Sequence, residues 1–249
     1  TTVITGTGYN PVVTFTGSED KNCLIKGFTI KNANTEYISP PPDSGGGIQG
    51  NGSYANISYC IIRNNNADKG GGINEINGTI NNCIITDNYA CKTGGGLSEC
   101  SGDITNCIIT YNEADTGGGI YGEPAICNST ICNNTAYTGA GFLANKGQCL
   151  LSECTIKNNN CLSYGHSIVI EGDVSLISSV LASDLDLRVI ESAAITGAGT
   201  LNLDTGSILR IEAGETVLDC NITGPGKIII YDIGQLTIVN DSVIDMGGT

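Results

Sequence analysis

Across residues 45–164 one short pattern recurs five times: Gly-Gly-Gly-Ile or a close variant, a polar turn, an apolar run carrying Cys, then Ile-x-x-Asn and often Ala. The copies begin at Gly45, Gly70, Gly94, Gly117 and Gly139, so their spacing falls from 25 to 22 residues. A repeat of this length constrains the fold strongly, because one such unit cannot bury an apolar face alone and must stack on its neighbours.

Columns run through the copies in step. Ile57, Ile80, Ile104, Ile126 and Leu151 form one, followed three residues on by Cys60, Cys83, Cys107, Ser129 and Cys154. Ile62, Ile85, Ile109, Ile131 and Ile156 come next. Asn65, Asn88, Asn112, Asn134 and Asn159 follow, and then Ala67, Ala90, Ala114, Ala136 and Cys161.

No copy offers ten residues at helical spacing, and glycine triplets are costly inside a helix. A coil of about 23 residues with two or three short strands is one turn of a parallel β-helix, in which like residues lie about 4.8 Å above one another. Ile and Cys then fill the interior. Asn suits a corner, since it tolerates left-handed backbone and its amide can bond to the next rung. The expected fold is all-β: a single right-handed parallel β-helix, or solenoid, of about ten coils.

The chain divides by rhythm. Residues 1–44 hold N-terminal coils with strands near 2–5, 12–16 and 23–31, Phe28 in the Cys column, and a Pro-rich loop at 35–44 containing Pro40, Pro41 and Pro42. Three prolines cannot pair in a sheet. Residues 45–190 are the Gly-rich coils, the last of them degenerate, with Val180 in the Cys column. In residues 191–249 the period changes: 197–203 is answered 27 residues later by 224–230, and 206–211 by 234–238.

Gly70-Gly71-Gly72-Ile73 and Ile85-Thr86-Asp87-Asn88, with their counterparts, resemble the repeats of right-handed β-helix proteins of the pectate-lyase-like superfamily. In repeat style they are similar to autotransporter-type surface passengers, including chlamydial polymorphic membrane proteins. The resemblance implies a β-helix at a cell surface. Its enzymatic members cleave acidic polysaccharides with clustered Asp, basic residues or a Gly-His-Gly element. Here the one His stands in Gly165-His166-Ser167, the three Arg (Arg63, Arg188, Arg210) are far apart in sequence and in expected coil number, and no Asp-Asp pair occurs. Glycosidic cleavage needs two carboxyls held across one bond; no such pair stands out, and the expectation is a non-enzyme.

A net charge of −14 repels phosphate backbones, so nucleic acid is excluded as a partner. No 18-residue apolar run exists to span a membrane. The first residues, Thr1-Thr2-Val3-Ile4, already read as strand, as in a mature or excised form. Of twelve Cys, the ladder members Cys60, Cys83, Cys107 and Cys154 read as buried hydrophobes. Cys91 and Cys100 flank one corner, and Cys127 and Cys149 lie about one coil apart, so disulfides are expected among these four, in an oxidising compartment. No CxxC pair suggests zinc.

Glu75 and Glu99 share one offset after the Gly triplet and Glu123 lies one residue off it, which makes them candidate calcium ligands or a solvated acidic edge. No other cofactor is implied. Tyr54, Tyr59, Tyr89, Tyr111, Tyr121 and Tyr137 spread through the repeats as candidates for a glycan-binding face. Sequons begin at Asn51, Asn56, Asn77, Asn128, Asn133, Asn221 and Asn240. The expected function is an extracellular structural protein, a subunit of a surface fibre, sheath or envelope layer whose partner is itself, stacked head to tail through open coil edges. The alternatives are an adhesin or glycan-binding module and a polysaccharide lyase or hydrolase.

Overall fold

The computed structural model describes residues 2–35, 45–144, 149–162, 168–170, 174–176, 180–183, 186–189, 193–203, 207–211, 214–230, 234–238 and 244–245. The Pro-rich loop from 36 on, His166 and Asn240 lie outside them.

The chain is a parallel β-solenoid of about seven turns, and no helix occurs among the described residues. The expectation of about ten coils is somewhat above this number. Among the described residues every pairing between strands is parallel, and the columns of the sequence become registers in space. Ile57 pairs Ile80, Ile80 pairs Ile104, and the line continues to Ile126 and Leu151. Ile30, Ile62, Ile85, Ile109, Ile131 and Ile156 form a second line. All these isoleucines are buried.

Three sheets wrap the core. The first holds 19 strands, two from each typical coil, such as Asn56–Ser58 and Ile61–Arg63. The second has five strands, with the Ala column inward. The third has ten strands, on which Ile48, Ile73, Leu97, Ile120 and Phe142 stack inward.

The Gly triplets make the corner into the third sheet. Gly70, Gly94, Gly117 and Gly139 have φ between 54° and 65°, a region that costs a side chain strain. The next two glycines carry a ladder of their own, Gly71 donating to Gly94 and Gly72 to Gly95. A Cβ on Gly72 would stand 2.5 Å from the Gly96 carbonyl oxygen, so the coils pack too closely there for any side chain.

In two places the register differs from what the sequence suggests. The sequence correspondence in the last coils is not the register of the strands: Leu201 pairs Ile222 rather than Ile228, and Ile208–Ile211 pairs Lys227–Ile230 rather than Gly234–Ile238. Alternating Leu and Ile recur on every side of a short coil, so alternation alone cannot fix which strand meets which. Arg188 and Arg210, distant in sequence, are register partners on adjacent rungs.

The third sheet also continues past residue 190, because Asp186–Val189 pairs with Ile208–Ile211. In the first sheet Val180–Ser183 likewise pairs into Ala193–Leu203.

Candidate functional site

The most ordered chemistry in the molecule is internal. The ladder asparagines Asn65, Asn88, Asn112, Asn134 and Asn159 are all buried. Asn88 Nδ2 donates to Asn112 Oδ1 at 3.0 Å and to the Ile62 carbonyl at 3.0 Å, while its Oδ1 accepts from Asn65 Nδ2 at 3.0 Å and Asn65 N at 3.2 Å. The same pattern links Asn112 to Asn134 and Asn134 to Asn159. From Asn65 to Asn134 each amide therefore has partners in the coils on both sides, which removes the cost of burying it. The expected bond to the next rung is present, but the left-handed backbone sits one residue earlier. Asn64, Asp87, Tyr111, Asn133 and Asn158 have φ of 53–55°. Sequence reasoning missed this second column, although the doublets Asn64-Asn65, Asn133-Asn134 and Asn158-Asn159 signalled it.

Beside this ladder runs a stack of thiols. Cys60, Cys83 and Cys107 are each about 1% exposed. Each Sγ donates to the carbonyl two residues earlier, at 3.3, 3.3 and 3.2 Å. The neighbouring Cys83 thiol, then burial, pushes the Cys60 thiol up. The Cys83 thiol rises to about 12, first through the neighbouring Cys107 thiol, while Cys107 is lowered by its interaction with Cys83 against the opposing effect of burial. Ser129 occupies the next rung, its Oγ donating to the Cys127 carbonyl at 2.8 Å and accepting from Cys107 N at 3.0 Å.

None of the twelve cysteines is in a disulfide, so the bridges expected among Cys91, Cys100, Cys127 and Cys149 are not formed. Register explains it. Cys127 is opposite Ser152, whereas Cys149 is opposite Val174. Cys100 and Cys149 point into the core, where burial raises both, Cys100 to about 12. Cys91 Sγ instead donates to Asp68 Oδ1 at 2.9 Å.

That last contact belongs to a bulge. Ala90 pairs Ala67, but the next pairing joins Thr93 to Lys69, so Cys91 and Lys92 together face Asp68. Lys92 Nζ reaches Asp68 Oδ2 at 2.6 Å, and the Asp68 side chain is 3% exposed while that of Lys92 is 50% exposed. The carboxylate is thus held by a thiol and an ammonium from the adjacent coil.

The candidate calcium ligands are only partly assembled. Glu75 and Glu99 follow the register partners Asn74 and Ser98 and share left-handed backbone, with φ of 55° and 52°. Each has a protein partner: Gln49 Nε2 donates to Glu75 at 3.0 Å, and Lys69 Nζ lies 3.8 Å from Glu99. Glu99 and Glu123 line a hollow of about 230 Å3 with Cys100, Ser101, Tyr121 and Gly122. No group of three or more His, Cys, Asp or Glu converges on one point among the described residues.

The larger hollow, about 410 Å3, lies on the first sheet and is lined by Asn56, Ile57, Ser58, Tyr59, Thr79, Asn81 and Asn82. Tyr59 stands at its wall with φ of 54° and 57% exposure. Lys26 Nζ lies 5.2 Å from the centre of its ring. Among the other candidate tyrosines, Tyr54, Tyr111 and Tyr137 are also exposed. Three sequon asparagines are tied into neighbouring coils by Nδ2: Asn51 to the Phe15 carbonyl, Asn56 to Lys21 and Asn77 to Gly52. Asn128 is exposed and donates to Asn106, whereas Asn133 and Asn221 are half-buried.

No protein-family model matches the chain, and no curated protein is significantly similar to it.

Proposed function

We propose that the protein is an extracellular structural element, a stiff subunit of a surface fibre, sheath or envelope layer. The continuous asparagine ladder carries this reading. Five buried amides bonded from coil to coil spend polar chemistry on joining rungs, the investment a rod needs and a soluble binding pocket does not. Successive coils also present near-identical edges, as in the run Ile62, Ile85, Ile109 and Ile131, so one coil is a template for another and stacking between copies needs no new surface. Negative-stain microscopy across a concentration series tests the proposal. Regular fibres or sheets joined along the coil axis are expected; isolated rods at every concentration would overturn it.

One observation favours a second reading, a neutral-glycan-binding surface module. The Tyr59 hollow offers an aromatic wall, amides and hydroxyls, and its lining carries no charged side chain. Loss of binding on a glycan array after Tyr59→Ala, with wild type bound, would support it. Equal signals from both proteins would dismiss it. Among the described residues no assembled acid–base pair supports a lyase or hydrolase.

A further inference from the structure

We propose that the stacked thiols of Cys60, Cys83 and Cys107 form an internal site for soft monovalent cations that prefer two-coordinate, linear geometry, cuprous or silver ions, each held between sulfurs on adjacent rungs.

The argument begins with spacing. Cys60 precedes Ile61 and Cys83 precedes Ile84, which are register partners, and Cys107 stands in the same relation to Ile108. Neighbouring rungs are about 4.8 Å apart. The three Sγ atoms bond to the carbonyl two residues back at nearly one distance, 3.3, 3.3 and 3.2 Å, so the side chains share one orientation and their sulfurs inherit the rung spacing. A cation set in line between two sulfurs separates them by twice a metal–sulfur bond, roughly 4.6 Å when that bond has about the 2.3 Å length that zinc makes to thiolate. The two lengths agree. A tetrahedral ion would need four donors around one point, and no group of even three converges among the described residues. The stack therefore selects geometry as well as softness, since thiolates favour cuprous-type ions over hard cations.

Charge limits stoichiometry. The sulfurs lie in an apolar interior between the Ile57 and Ile62 lines, where a net charge is costly. Each monovalent cation bound replaces one S–H proton, which leaves to solvent; the second sulfur stays a protonated thiol donating its lone pair, and the adduct is neutral. Three thiols have two gaps, so the stack holds at most two cations.

The same column contains its own control. Ser129 separates Cys107 from Cys154, so Cys154 lacks a thiol on that side. It also shows that Ser at this position is compatible with the fold, with its hydroxyl bonding as the thiols do.

The test uses silver ion as probe. Reduced full-length protein is loaded, washed with excess glutathione to strip exposed cysteines, and weighed by native mass spectrometry. Wild type and Cys154→Ser are expected to retain one or two silver ions, Cys83→Ser none, and Ser129→Cys more than wild type, with one proton released per ion retained. Circular dichroism checks that Cys83→Ser is folded. Failure of the wild type to retain silver, or equal retention by folded Cys83→Ser, would overturn the proposal. If Cys83→Ser does not fold, an unchanged silver count in Ser129→Cys overturns it instead.

Discussion

Asn88 and Asn112, one coil apart, share two hydrogen bonds to a single oxygen: Asn88 N and Nδ2 both donate to Asn112 Oδ1, at 3.1 and 3.0 Å. Removing that oxygen leaves two buried donors without an acceptor. Asn112→Leu is therefore expected to destabilise the protein by about 3 kcal/mol or more, each orphaned group costing about 1–3 kcal/mol. Urea unfolding measures this, and a loss below about 1 kcal/mol would show that the ladder is not a main source of stability.

Glycines differ in what they tolerate. A Cβ on Gly71 would lie 2.3 Å from the Tyr89 carbonyl oxygen and 2.7 Å from that of Gly95, backbone that can move only if the coils part. Gly27 has φ of 76° and open space around it, in the column that elsewhere holds Tyr59, Asn82, Asn106 and Asn128. Gly71→Ala should yield insoluble or strongly destabilised protein, whereas Gly27→Asn should shift stability by no more than about 1 kcal/mol. Thermal unfolding of both variants distinguishes steric closure of the coils from a general glycine requirement.

Buried thiols make stability fall at alkaline pH. The Cys100 thiol is raised by burial to about 12, so between pH 9 and 12 the unfolded chain loses this proton while the folded chain keeps it. Stability is fully present below the unfolded value and declines by about 1.4 kcal/mol per pH unit for each such thiol above it. Under reducing conditions Cys100→Ser should flatten the decline of unfolding free energy above pH 9. Superimposable pH profiles for the two proteins would contradict this.

The Asp68–Lys92 pair straddles the bulge. Lys92→Met leaves a carboxylate that is 3% exposed without its ammonium partner. Because the Lys92 side chain is half-exposed and screened, the expected cost is about 2 kcal/mol, below that for a wholly buried pair. Adding Asp68→Asn should recover part of it. A double-mutant cycle with no coupling would mean that the bulge is held by Cys91 and the backbone alone.

The five-coil centre was legible because parallel, in-register stacking turns a sequence column directly into a line in space. The Ile, Asn, Cys and Ala columns could be read without knowing a single contact. What failed were features that break the one-to-one rule. The bulge gives Asp68 two partners, Cys91 and Lys92, and a constant period cannot foresee an extra residue. The bridge between Cys127 and Cys149 was drawn from coil spacing alone, while strand register sets Cys127 against Ser152. In the last coils, alternating Leu and Ile matched several offsets equally well. The Tyr59 hollow escaped as well, since its lining comes from two coils at positions where each copy differs.

The register around the second sheet also makes the coil a unit of inheritance. Thr93 and Thr116 are partners on successive rungs, and each is followed by a left-handed glycine, Gly94 and Gly117. Excising residues 94–116 would join Thr93 to Gly117 through a junction of the kind already found at Thr116. Asn88 would then meet Asn134, Ile85 would meet Ile131, and Cys83 would meet Ser129. A chain built this way can gain or lose a whole coil in one genetic step, changing its length without rewriting its interior.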